Sequence, residues 1–139
     1  GVSQIRGASR TSVGGYTKKI RPSDTEQFDV SDQRSLDEVV RWLMDLGYIP
    51  SFCTACYRAG RTDARFMPPA KSGQIHTCCQ PHALLTLKEY LEDYASPLTK
   101  KSGEKVIQDE LQRIPNVKLR EKVRNELDLI EEGARDFRV

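Results

Sequence analysis

Hydrophobic positions recur at helical spacing from Ser35 onward and show no such period before it. Leu36, Val39, Val40, Leu43 and Met44 fall on one helical face, and Gly47 stands where a left-handed C-cap is expected. Their start is marked by Ser35-Leu36-Asp37-Glu38, a capping box. In it the Ser35 hydroxyl accepts from the Glu38 amide and the Glu38 carboxylate reaches back to the Ser35 amide. The pattern predicts a helix over about 35–46. A second is predicted from Pro81 to about Tyr94, with Leu84, Leu87, Leu91 and Tyr94 on one stripe. Pro81 suits its first turn, where the missing N–H costs nothing. Gly103 and Pro115 mark off two more helices, near 103–113 and 116–132, the latter carrying Val117, Val123, Leu127 and Ile130.

Elsewhere the periodicity is lost. Val2-Ser3-Gln4-Ile5 reads as one short strand, followed by irregular chain broken at Gly7, Gly14, Gly15 and Pro22. Tyr48 to Phe52 reads as a short extended run. Residues 57–81 read as loop, punctuated by Gly60, Pro68, Pro69, Gly73 and Pro81. A loop of about 25 residues inside a compact domain needs a cause, and a metal clip at both ends would supply one. The fold class is therefore mainly α: four helices, one N-terminal strand and a pinned loop.

Composition narrows the function. At 139 residues the chain is one ordinary domain. It is too short for a complete eight-stranded barrel of about 250 residues. No apolar run approaches the roughly 20 residues of a membrane span. A net charge of +2 does not make nucleic acid the default partner. The last stretch, Thr99 to Val139, holds ten basic and nine acidic side chains, which reads as solvated helix faces. The abrupt start at Gly1 on a strand-like run is what an excised or processed fragment would show.

The chemistry lies in four cysteines, Cys53, Cys56, Cys78 and Cys79. With no signal peptide in view, C-x2-C plus an adjacent pair favours a metal or cluster site in a reducing compartment over two disulfides. Cys53, Cys56 and Cys79 form C-x2-C-x22-C. Cys78 points elsewhere if the chain is extended there, because neighbouring side chains alternate faces. A cubane iron–sulfur cluster held by three cysteines leaves one iron open to a further ligand. The alternative is a zinc-binding structural or interaction module that uses all four thiols. A metal-free helical interaction module comes last, because it leaves the 57–81 loop unexplained. His76 and His82 flank the adjacent pair as secondary ligand candidates. Arg58, Arg61, Arg65 and Lys71 against the single acid Asp63 give the intervening loop an excess of three positive charges, which suits an anionic centre under either metal.

These cysteines sit in a recognisable context. Ser51 to Thr62 (SFCTACYRAGRT), Phe66-Met67 and Cys79 to Ala95 (CQPHALLTLKEYLEDYA) resemble the C-terminal part of the radical S-adenosylmethionine (SAM) tyrosine lyases that mature FeFe-hydrogenase. Gly1 to Thr11 (GVSQIRGASRT), Gly14-Gly15-Tyr16 and Asp32 to Ser35 look like the end of that family's barrel. The thiazole-synthesis tyrosine lyases share the opening segment but stop before such a cysteine motif.

The resemblance implies that residues 1–50 are the last strand, connecting loop and capped helix of a radical-SAM (β/α) barrel. Residues 51–139 would be an iron–sulfur-cluster-binding helical domain, with Cys53, Cys56 and Cys79 holding an auxiliary 4Fe–4S cluster and an additional iron nearby. It further implies that the intact cytoplasmic enzyme is a carbon–carbon lyase carrying SAM and a second 4Fe–4S cluster. That enzyme cleaves tyrosine to p-cresol and makes iron-bound carbon monoxide and cyanide for the hydrogenase cluster. Its partners would be the N-terminal barrel and other hydrogenase maturation proteins, with no nucleic acid and no membrane. The chain has no C-x3-C-x2-C motif for the SAM-cleaving cluster, so alone it is expected to be inactive. Ser9 and Arg10 would lie at the substrate-side exit of the last barrel strand. Two positions depart from the family: His82 stands where Asn is usual, and Cys78 where an apolar residue is usual.

Overall fold

The computed structural model describes residues 34–60, 63–65, 67–73 and 76–137. Within them the chain forms α1 (Leu36–Asp45), α2 (Ala55–Arg58), a 3-10 turn (Asp63–Arg65), α3 (Met67–Lys71), α4 (Cys79–Asp93), α5 (Pro97–Arg113) and α6 (Val117–Glu131). Four helices of three or more turns and no strand among the described residues agree with a mainly helical chain. The strand expected at Val2–Ile5 lies outside the described residues, as do Ser9 and Arg10. None of the described helices is long and apolar enough to cross a membrane.

α1 forms as its sequence dictates. The Glu38 amide donates to the Ser35 hydroxyl at 3.3 Å and the Ser35 amide donates to the Glu38 carboxylate at 2.7 Å, which completes the capping box. At the other end Gly47 has φ +82°, its amide donates to the Met44 carbonyl, and the Tyr48 amide donates to the Leu43 carbonyl. This pair of bonds is a Schellman motif and needs a residue free to adopt left-handed backbone. Val39, Val40 and Met44 are buried, while Leu36 and Trp42 stay exposed under solvent and the Arg34 guanidinium, which lies 4.4 Å above the indole centroid.

Three boundaries differ from expectation. α5 begins at Pro97, two turns before Gly103, because Ser96 is its N-cap and accepts from the Thr99 amide. Gly103 lies inside the helix and is buried. A Cβ built on it would stand 2.4 Å from Leu91 Cδ1, so glycine there permits close approach of α5 to α4 and does not interrupt the helix. α4 begins at Cys79 and not at Pro81, so Cys78-Cys79 is a helix start and not an extended pair. Among its described residues the stretch 57–81 is not irregular throughout either, since it holds the end of α2, the 3-10 turn, α3 and the start of α4. Consecutive prolines at 68 and 69 are compatible with the first turn of a short helix, where no intrahelical N–H bond is yet required.

The core lies where α5 packs on α1 and α4 and α6 closes over α4. It joins Leu84, Leu85, Leu87 and Leu91 of α4 with Ile107 and Leu111 of α5, Val123, Leu127 and Ile130 of α6, and Val40 and Met44 of α1. The links Tyr94–Ser96 and Ile114–Asn116 are three residues each, short enough to make successive helices antiparallel neighbours. Three stripe positions fall off the core: Leu36, Tyr94 and Val117 are exposed.

Charged groups tie the helices where apolar contact ends. Lys88, buried on α4, pairs with Glu92 at 2.8 Å and with Glu131 of α6 at 3.1 Å, and Glu92 also takes Lys100 of α5 at 2.6 Å. Burial pulls the Lys88 ammonium down, but its glutamate partners outweigh burial and hold it above the ordinary lysine value. Asp37 of α1 reaches the first turn of α5. One oxygen accepts from the Ser96 amide at 3.0 Å, the other from the Ser96 hydroxyl at 2.7 Å and the buried Thr99 hydroxyl at 2.8 Å. A carboxylate there also meets the positive end of the helix. Burial raises the Asp37 carboxyl, yet the bonds from Ser96 and Thr99, with Arg41 nearby, outweigh it and hold the group below the ordinary carboxylate value.

Two predictions follow from these contacts. Gly103→Ala should lower stability in urea denaturation by up to about 2 kcal/mol, because an overpacking cost of about 1–3 kcal/mol is set against the roughly 1 kcal/mol of helix propensity regained. In a Leu91→Ala background the same change should be neutral or stabilising, which a double-mutant cycle would read. Asp37→Ala should cost about 1–3 kcal/mol at pH 7. Because the folded-state value of Asp37 is depressed, its contribution is present above the unfolded value of about 4 and lost as pH falls through the folded one. The gap between wild type and Asp37→Ala should therefore narrow as unfolding is measured from pH 7 down to pH 2.

Candidate metal centre

The cysteines lie at two places that one helix brings into relation. After α1 the chain runs without regular structure from Tyr48 to Thr54, and Ile49 packs against the core. The Phe52 ring stacks on Tyr90 of α4, with centroids 4.7 Å apart and planes at 15°. The Phe52 amide donates to the Thr86 hydroxyl at 3.4 Å. Cys53 follows at once, its amide donating to the Ser51 hydroxyl at 3.3 Å. Thr54 opens α2, accepting from the Arg58 amide, so Cys56 lies within that single helical turn.

The second place is the start of α4. Cys78 occupies the N-cap position without a side-chain cap bond, and Cys79 is the first helical residue. No acidic side chain stands in this first turn. The leading amides of a helix lack intrahelical acceptors and favour negative charge, such as a thiolate-bound centre, close by. His82 Nδ1 lies 3.0 Å from the Cys78 carbonyl oxygen and 3.8 Å from Cys78 Sγ. A carbonyl can only accept, so this contact selects the tautomer protonated at Nδ1. His76 is exposed before the helix.

No disulfide joins the four cysteines, and each is half-buried, neither sealed in the core nor fully in solvent. Arg58, Arg65 and Lys71 of the intervening segment are exposed, and Arg61 lies outside the described residues. Among the described residues no three His, Cys, Asp or Glu side chains converge on a common metal position. The donor set nevertheless fits a cluster in its chemistry: half-buried cysteines outside any disulfide, a local excess of positive charge, and two segments bound to one helix. Face alternation gives no reason to set Cys78 aside, because the pair is not extended. Phe52, Thr86 and Tyr90 carry no metal-ligand signal in the sequence and are brought to the site by packing. A visible trace was the four-residue spacing of Cys78, His82, Thr86, Tyr90 and Tyr94.

A helical chain whose C-x2-C segment lies along the helix that begins with its last cysteine matches a C-terminal helical segment of an FeFe-hydrogenase maturase. The matching protein is HydG, a maturase of the FeFe-hydrogenase, to whose crystal structure the chain is 50% identical with a TM-score of 0.84. The match covers 100% of this chain and 30% of the HydG chain, so the chain spans under a third of that relative's length. No protein-family model and no curated protein sequence matches the chain.

Proposed function

We propose that the chain is the auxiliary-cluster part of a radical-SAM tyrosine lyase that matures FeFe-hydrogenase, with Cys53, Cys56 and Cys79 as the ligands of a 4Fe–4S cluster. The observation that carries this reading is likeness to HydG along the whole chain at 50% identity, together with C-x2-C-x22-C in half-buried cysteines that form no disulfide. When bound, such a cluster supplies an iron without a protein ligand, open to an additional iron and to the carbon monoxide and cyanide made from tyrosine.

The chain's own residues act by binding and by placing charge. Cys79 presents its thiol at the positive end of α4, and Phe52 holds Cys53 beside that helix. Arg58, Arg65 and Lys71 offset the negative charge of a thiolate-held centre. Cleavage of SAM and tyrosine is assigned to the rest of the intact cytoplasmic enzyme, with its second 4Fe–4S cluster, since the chain has no C-x3-C-x2-C. Ser9 and Arg10 are proposed as substrate-side residues of that barrel, and other maturation proteins as the recipients of its product.

A zinc module is the second reading, and one observation favours it. Cys78 and Cys79 share a helix start, and the Cys78 thiol stands 3.8 Å from His82, so a fourth thiol or an imidazole is at hand.

Anaerobic reconstitution with iron and sulfide separates the two. Cluster stoichiometry of iron and sulfide and an EPR signal on reduction are expected, lost in Cys53→Ser, Cys56→Ser and Cys79→Ser but kept in Cys78→Ser. Tight zinc binding with no cluster signal, weakened as much by Cys78→Ser as by Cys79→Ser, would instead establish the zinc module.

A further inference from the structure

Cys78, His82, Thr86, Tyr90 and Tyr94 recur every four residues and so lie in a row along one side of α4. The row is internally linked. His82 Nδ1 contacts the Cys78 carbonyl, the Thr86 hydroxyl donates to the His82 carbonyl at 2.9 Å, and the Tyr90 and Tyr94 rings lie 6.0 Å apart. The segment leading to C-x2-C is laid against this row by two contacts of Phe52, its amide on the Thr86 hydroxyl and its ring on Tyr90. One hydroxyl thus donates to the helix and accepts from the segment, a double duty that valine cannot perform and serine can.

The contacts fall on the residue immediately before Cys53. Thr86 is seven residues from Cys79, about 10 Å along a helix rising 1.5 Å per residue. The four residues from Phe52 to Cys56 span up to about 13 Å when extended, so C-x2-C anchored at Phe52 is within reach of the helix start. Thiols separated by 22 residues would otherwise have to close that loop when the metal arrives, at an entropic cost. Groups that orient ligands in this manner typically change metal affinity about 10-fold to 100-fold when removed.

We propose that Thr86 and Tyr90 are positioning residues of the metal centre. They dock Phe52 and thereby hold the segment that carries Cys53 and Cys56 alongside α4 before metal binds, so that less chain has to be ordered when it arrives. The proposal rests on the assignment of Cys53, Cys56 and Cys79 as ligands, and neither residue touches the metal itself.

Cobalt(II) titrated into the reduced, metal-free 139-residue chain under anaerobic conditions tests it. Thiolate-to-cobalt charge-transfer absorbance reports affinity, and circular-dichroism melting of the metal-free chain reports stability. Thr86→Val should weaken cobalt binding about 10-fold or more, with Thr86→Ser close to wild type. Phe52→Ala, at a partly exposed residue outside the helices, should weaken it likewise, by more than the accompanying fall in metal-free melting temperature accounts for. Cobalt affinity unchanged in Thr86→Val and Phe52→Ala, in a chain where Cys79→Ser loses the charge-transfer band, overturns the positioning role alone. Affinity that falls only in step with metal-free stability overturns it too, as a purely structural effect. A band that survives Cys79→Ser overturns the ligand assignment, and the proposal with it.

Discussion

The burial of one face of α4 is the constraint on which the rest of the molecule depends. Leu84, Leu85, Leu87 and Leu91 are almost wholly removed from solvent, and side chains of this kind contribute about 1.5–3 kcal/mol each when fully buried. α5 and α6 both pack on that face. The side of α4 that carries Thr86 and Tyr90 receives the segment ahead of Cys53, and the helix start carries Cys78 and Cys79. The same fifteen residues therefore hold the core together and relate the two halves of the cysteine motif. At Gly103 the approach of α5 is so close that a methyl group would meet the Leu91 side chain, so the position of α4 is set by packing and not by its own helix propensity.

Polar groups complete this arrangement. Asp37 belongs by sequence to the capping box of α1, yet its carboxylate serves the first turn of α5, fifty-nine residues from Ser96 along the chain. A polar bond of this span fixes the angle between two helices that apolar contact alone would leave free to slide. Lys88 and Glu92 act similarly in the C-terminal half of α4, where a buried ammonium would be costly without partners and has two within 3.1 Å. α1, which the sequence relates to the end of a barrel, shares its core with α4, α5 and α6 through Val40 and Met44.

Much of the fold was legible because it is local. The α1 capping box, the left-handed Gly47 and the helix ending near residue 132 each rest on interactions within five residues, which sequence pattern reports directly. The misplaced boundaries have one cause. In a sequence pattern Gly103 and Pro81 are punctuation, whereas glycine inside α5 answers a neighbouring helix and α4 starts two residues before its proline. Tyr94 fits the period of the leucine stripe but lies at the end of the helix, where rotation and loss of helical backbone carry it into solvent. At the candidate site, the cysteine types and spacing were visible in the sequence. Their dependence on Thr86 and Tyr90 was not, because a threonine and a tyrosine have many ordinary uses.

By itself, the sequence determined which residues are candidates for the chemistry and which stretches are helical, since thiol content, spacing and amphipathic period need no knowledge of the partner element. Tertiary structure alone decided which helix faces meet and where the C-x2-C segment lies. It also revealed that Cys78-Cys79 opens a helix. The first two outcomes depend on contacts between different elements, such as Gly103 with Leu91 and Phe52 with Thr86 and Tyr90, and such contacts are settled by shape and burial in three dimensions, which no local pattern encodes.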